Sequence, residues 1–295
     1  MSQTRHLRMM EALEEEGQRG SCMASFLRKQ FGPISTLSVL DAGCNTGGIS
    51  LAFASAAERV VGIDRNEDAI RKAYFRAKAN TVNNISHALA TLVSLPFRSA
   101  SFDLVIVNGV LEWVPGGWRG NPGEDSIDPR AQQLAALKEN YRVLRRGGIL
   151  YLAIENRWFP YNLISDTHTG QPLVAMLPRR VADKVSKYFW NRPYVNYLYS
   201  YWGLKRLIAE AGFKNIHFYV PVLTYHFPAA IVDISQRRTL LEQTKKLQID
   251  VADGVGWEEF TVGTHGRLKR SFAITVAMLG LQKLFAQCFV VLAKK

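Results

Sequence analysis

The chain has 295 residues, 47% of them hydrophobic, and a formal net charge of +12. That length and apolar share predict a sizeable core and exclude a disordered chain. The charge suits an anionic partner, whether membrane surface, phosphorylated substrate or nucleic acid, or a solvated basic face.

Cys22, Cys44 and Cys288 lie far apart with no CxxC pair, which fits a reducing, cytoplasmic setting. The charged start, MSQTRHLRMMEALEEEG, lacks the apolar core of a secretory signal. FAITVAMLGL (272–281) is the most apolar tract, only about half the roughly 20 residues a membrane-spanning helix needs.

Residues 1–32 read as an N-terminal helical extension, and 33–295 as one domain of alternating strands and helices. LSVLD (37–41) is a strand and GGISLAFASAA (47–57) a helix of small residues. ERVVGID (58–64) is the next strand, and a helix over 66–80 starts at Asn66 or Asp68. ISHALAT (85–91) and FDLVIVNGV (102–110) are strands three and four. A helix over 128–144 stops at RRGG, and ILYLAIE (149–155) is strand five. Residues 156–200 form an aromatic, basic insertion too long for a plain connection. A helix (201–213) and a strand (215–225) follow, then a second irregular insertion (226–283) and a last strand, QCFVVLAKK (287–295). The alternation predicts an α/β sandwich around a mostly parallel sheet.

In such a sheet, ligands lie over the carboxyl ends of the strands. The turn DAGCNTGG places glycines at 43, 47 and 48 but Asn45 where a dinucleotide turn has glycine. The missing glycine would let backbone approach a pyrophosphate, so Asn45 argues against NAD. It favours a nucleoside with an amino-acid tail. Asp64, at the end of strand two, suits the two ribose hydroxyls.

VLDAGCNTGGISLAFA, VVGIDRN, LPFRSASFDLVIVNGVLEWV and YRVLRRGGILYLAIE, in that order, resemble the motifs of class I S-adenosylmethionine-dependent methyltransferases. The resemblance implies a Rossmann-like three-layer sandwich. Its seven-stranded, mostly parallel sheet has an antiparallel last strand between strands five and six. It implies S-adenosyl-L-methionine as cofactor, with Asp41, Gly43, Asn45 and Gly47 shaping the turn. Asp64 would bind the ribose, with Arg65 and Thr91 beside the adenine. Thr91 departs from the acid many relatives carry there. Asn108 and Gly109 would line the methionine moiety, with Leu111 to Trp113 close by. Trp113 reads equally as a core aromatic, and Asp41 as an acid that braces the turn. ENR…SD-HTG and YSYWGLKRLIAEAGF are loosely similar to bacterial methyltransferases found with glycan assembly enzymes.

Methyl transfer to a hydroxyl benefits from a base. His168 is the first candidate, then Glu155 and Asp166, all at or beyond strand five. His217 and His226 read as packing residues. The expected acceptor is a small-molecule, sugar or polyketide hydroxyl. A membrane-linked lipid or quinone is the alternative, then an RNA ribose, then a cofactor-binding module without catalysis. Nucleic acid is disfavoured because strand four ends Asn108–Gly109–Val110–Leu111, without the proline pair of base-methylating enzymes. No metal site is expected; Glu124, Asp125 and Asp128 form an acidic cluster in a glycine- and proline-rich turn. Residues 172–190 mix apolar and basic side chains at helical steps, interrupted at Pro178. They read as a lid over the acceptor pocket or as a peripheral contact with the inner membrane face. The 272–281 tract would extend that surface or join a homodimer.

Overall fold

The computed structural model describes residues 18–115, 128–166, 168–246 and 264–295, in two compact units. Part of the expected extension (1–17), the acids Glu124 and Asp125, and residues 247–263 of the second insertion lie outside the described residues.

The first unit draws on residues up to 89 and on 219–282. Its parallel strands are β1 (Ser38–Ala42), β2 (Arg59–Asp64) and β3 (Ile85–Leu89), with Val39 opposite Val60 and Val61 opposite Ser86. β1 is buried at every position, as a parallel strand covered on both faces must be. α1 (Gln18–Phe31) packs against α2 (Gly48–Ala54). They come so close that a Cβ on Gly20 would lie 2.4 Å from that of Ala52. α3 (Glu67–Ala79) is capped by Asn66, whose side chain accepts from the Asp68 and Ala69 N–H groups. Its buried Ala69, Ala73 and Ala77 recur every fourth residue, and it packs on β2 and β3.

β6 (Lys214–Thr224) pairs with β7 (Phe227–Asp233) as an antiparallel hairpin, Tyr219 opposite Asp233. β7 falls where an irregular insertion was expected and raises the described strands to eight, one more than the resemblance implied. α7 (Arg237–Lys246) and α8 (Thr264–Leu279) pack on one another.

The second unit holds residues 90–218 and 283–295. β4 (Phe102–Asn108) runs parallel to β5 (Leu144–Glu155), Asn108 opposite Ala153. β8 (Cys288–Lys294) runs antiparallel to β5, Glu155 opposite Cys288. The antiparallel last strand is as expected. α4 (Pro129–Val143) is capped by Asp128. The chain passes straight from α4 into β5, which starts five residues earlier than the glycine stop suggested. Gly147, at φ 80, lies in a stretch where the β4–β5 register shifts. α5 (Arg179–Trp190) begins after Pro178, so the proline that interrupts the pattern marks the helix start. α6 (Tyr201–Glu210) is capped by Ser200, and α9 (Gln282–Phe285) precedes β8. Among the described residues no helix is long and apolar enough to cross a membrane.

Candidate active site

In the first unit the turn after β1 is held by its own backbone: the Gly43 and Cys44 N–H groups donate to the Ile63 carbonyl, both at 2.8 Å. Gly43 and Gly47 take φ 88 and 84, and Asn45 takes φ 47. That left-handed region admits asparagine more readily than other residues with a Cβ. Asn45 thus replaces the expected glycine on conformational grounds as well as for its exposed amide. A Cβ on Gly47 would stand 2.9 Å from that of Ala73, so nothing larger fits. Asp41 is buried and accepts from Ser50 Oγ at 2.6 Å, which favours the bracing role. Asp64 accepts from the backbone N–H groups of Asn45 (3.0 Å) and Asn66 (2.9 Å), one on each carboxylate oxygen. A carboxylate has about four acceptor sites, so two remain for the two ribose hydroxyls. That fits the expected cofactor. Arg65 is exposed next to it.

In the second unit, Thr91 is exposed in a turn closed on Ser94. Asn108 is buried at the end of β4, and neither atom of its amide has a hydrogen-bond partner. An orphaned buried amide calls for a polar ligand, which also fits. Gly109 follows at φ 67, its N–H donating to the Ala153 carbonyl.

The same unit brings three titratable side chains together. His168 Nε2 lies 3.4 Å from Glu112 Oε1 and 3.3 Å from Glu155 Oε2. Glu155 ends β5, and Glu112 sits in the 3₁₀ turn Leu111–Trp113 beyond β4. That turn is clamped: Gln133 donates to the Leu111 carbonyl and Asn196 to that of Glu112, both at 3.0 Å. The His168 loop is folded by Asp166, whose Oδ1 accepts from the N–H groups of His168 (2.9 Å) and Thr169 (2.7 Å) and from Thr169 Oγ1 (3.0 Å). Asp166 therefore builds the loop, and its carboxylate stays 4.0 Å from His168 Nδ1. The Trp113 ring meets His168 edge-on at 4.7 Å, which makes this half-buried tryptophan a wall of the cluster.

Burial and the neighbouring Glu155 charge raise the Glu112 carboxyl to about 7, against the pull of His168. Burial alone would lower His168, but Glu155 and Glu112 outweigh it and hold the ring well above its ordinary value of 6.5. The ring is thus an imidazolium between two acids at neutral pH. The three side chains, one ligand atom each within 4.8 Å, are compact enough for a cation. Asp128, from the acidic cluster weighed in the sequence, caps α4 instead.

Of the expected base candidates, His168 and Glu155 are side by side and Asp166 braces the His168 loop. Glu112 was not foreseen as part of the cluster. Its only signal was an acid in the LEWV turn after strand four. The His226 ring lies tilted against Tyr225 at 4.1 Å, whereas His217 is exposed and does not pack as expected.

The pattern that defines the methyltransferase-domain family matches residues 34–193. A demethylmenaquinone methyltransferase of Lactococcus lactis is 24% identical over 64% of this chain and 71% of its own length. One from Lactiplantibacillus plantarum is 27% identical over 62% and 73%. A solved structure of Haemonchus contortus phosphoethanolamine N-methyltransferase 2, in complex with phosphomonomethylethanolamine and S-adenosylhomocysteine, superposes with a TM-score of 0.50. It is 17% identical, covering 92% of this chain and 52% of the other, and the likeness is one of fold.

Proposed function

The chain belongs to the methyltransferase-domain family and takes S-adenosylmethionine as cofactor, and we propose that it methylates a hydroxyl of a small-molecule, sugar or polyketide acceptor. The observation that carries this reading is the buried acid–histidine–acid cluster. When bound, the cofactor supplies a methyl carbon already activated by a positive sulfur, so the chain's own work is positioning and proton removal. In the first unit, Asp64 binds the ribose, the 43–47 turn binds the amino-acid end, and Arg65 flanks the adenine. In the second, Asn108 and Gly109 offer an amide and a backbone for the methionine end, and Thr91 a hydroxyl for the adenine.

Glu155 Oε2 receives the acceptor's proton. Its side chain is 8% exposed, against 2% for His168 and none for Glu112. Glu112 shares that proton, and a carboxyl poised near 7 is matched to the task. The His168 imidazolium holds the carboxylates together and stabilises the negative charge needed for proton uptake. The base is thus a carboxylate pair with His168 as its positioning partner.

A second reading, a lipid or quinone acceptor, is favoured by the demethylmenaquinone methyltransferases among the relatives. Turnover measured by mass spectrometry, with a panel of sugar, polyketide and quinol acceptors, tests both. Methylation on oxygen, lost in Glu155→Gln with cofactor affinity kept, is the expected result. Methylation at carbon of a quinol would replace the first reading with the second. Near-normal rates in Glu155→Gln would remove the cluster from the mechanism. Turnover abolished by a chelator and restored by a divalent ion would show that the cluster holds metal instead.

A further inference from the structure

α5 leaves most of its large apolar side chains exposed. The residues it buries are the small Ala182 and Ser186, one turn apart. Its large apolar side chains lie along the strip beside that buried pair: Val181 is exposed, Val185 half-buried, Tyr188 83% exposed and Phe189 67% exposed. These four sit at i, i+4, i+7 and i+8, a single stripe along the helix. Arg180, Lys184 and Lys187, spaced by four and three, form an exposed basic row beside it. Lys187 also pairs with Asp183 at 3.1 Å, an exposed contact that costs little to exchange.

The apolar exposure continues through the elements packed on α5. The 3₁₀ turn Val174–Met176 packs against it, and the turn Pro160–Leu163 packs against Val174–Met176. Leu163, Ile164 and Leu173 are all exposed there, Ile164 at 71%. Scattered exposed leucines are ordinary; a contiguous apolar stripe edged by cations marks an interaction surface. The surrounding chain has the same sign: between Arg142 and Lys214 stand twelve Lys or Arg and four acids.

We propose that α5, with the 163–164 and 173 positions, is a docking face for an anionic lipid surface. Tyr, Phe and Trp on a helix with a basic flank suit the headgroup boundary, where aromatic rings sit and cations meet anionic headgroups. Charge complementarity favours an anionic surface: the helix has one acid, Asp183, already engaged by Lys187, and its exposed aromatics suit lipid headgroups. The face is also tied to the catalytic loop. Ser186 and Gln171 exchange hydrogen bonds at 2.9 and 3.0 Å, and Arg192 donates to the Thr169 carbonyl at 2.5 Å. Docking would therefore bear directly on the segment that carries His168. This rests on the surface alone and does not depend on which group is the base.

The test is co-sedimentation of the full chain with vesicles of phosphatidylcholine alone or mixed with phosphatidylglycerol, at low and high salt. Binding is expected to the mixed vesicles at low salt. Lys184→Glu/Lys187→Glu should weaken it by roughly fivefold or more per charge. Tyr188→Ser/Phe189→Ser should weaken it at least about tenfold at either salt. All four side chains are exposed, so the variants should melt with the wild type and bind S-adenosylmethionine equally in calorimetry. Wild-type protein that ignores the mixed vesicles, or a serine double variant that binds as wild type does, overturns the proposal. Concentration-dependent self-association abolished by the serine variant, without vesicle binding, overturns it in favour of an interface between copies. Loss of cofactor binding in the wild type would count against the methyltransferase chemistry and leave the docking result standing.

Discussion

Glu112 is the residue on which the chemistry turns, because its environment asks it to stay protonated far longer than a free carboxyl would. The sign of the pH dependence follows. A folded-state value raised from 4.5 to about 7 means that the folded chain binds more protons than the unfolded one across that window, so stability falls as pH rises through it. His168 acts in the same direction: its contribution is complete below 6.5 and is lost as pH climbs through the raised value. Rate and stability therefore oppose one another. Thermal melting should be highest near the acid end of this window, while kcat rises along a limb centred near 7 that belongs to the cluster as a whole. Glu112→Gln should remove or displace that limb and flatten the melting profile; a limb left near 7 would assign it to another group. Asp64 is the corresponding residue for the cofactor. On the proposed cofactor placement, Asp64→Ala removes two ribose contacts as well as the anchor for the Asn45 backbone N–H, and cofactor affinity measured by calorimetry should fall by about 10². An unchanged affinity would move the ribose elsewhere.

At the scale of elements, Asn156 joins the end of β5 to the segment before β8. Its side-chain amide donates to the carbonyls of Leu284 (2.7 Å) and Ala286 (2.8 Å), and its oxygen accepts from the Trp158 N–H at 3.1 Å. Asn156→Ala leaves those groups without the side chain, at roughly 1–3 kcal/mol for each buried group left unsatisfied. The melting temperature should drop, and kcat with it, because residue 157 onward leads to the His168 loop; cofactor affinity should hold. A drop in affinity equal to that in kcat would show that the damage also reaches the cofactor contacts.

These elements differ in how legible they were. The helix start at Asn66 and the glycine turn after β1 could be read because each depends on residues near it in sequence; the helix from Asp128 was expected, but the capping role of Asp128 was not. β7 could not: FPAAIVD carries an early proline and follows no Asn-Gly turn, and only its pairing with β6 makes it a strand. The orientation of α5 was hidden for another reason. Three- and four-residue spacing shows that a helix has two faces, but only the packed neighbours decide which is buried. Glu112 was missed because its burial depends on a histidine from a distant insertion.

For the whole molecule, salt separates the three events assigned to it. With a formal charge of +12, long-range attraction to any polyanion is screened as the Debye length shrinks from about 10 Å at 0.1 M to about 3 Å at 1 M. Vesicle binding should lose its electrostatic part over that range and keep the apolar part from Tyr188 and Phe189. Cofactor affinity should change little, since hydrogen bonds from Asp64 and the turn act at contact distance. The proton affinity of the cluster should change least. Its three side chains are buried, and the 3.3–3.4 Å from His168 to each acid is near or inside even the shortest of these screening lengths. The kcat limb near 7, recorded at low and high salt on a water-soluble acceptor, should therefore stay in place. A limb that moves by about a unit with salt would mean that the titrating group faces solvent. The base would then have to be sought outside the Glu112–His168–Glu155 cluster.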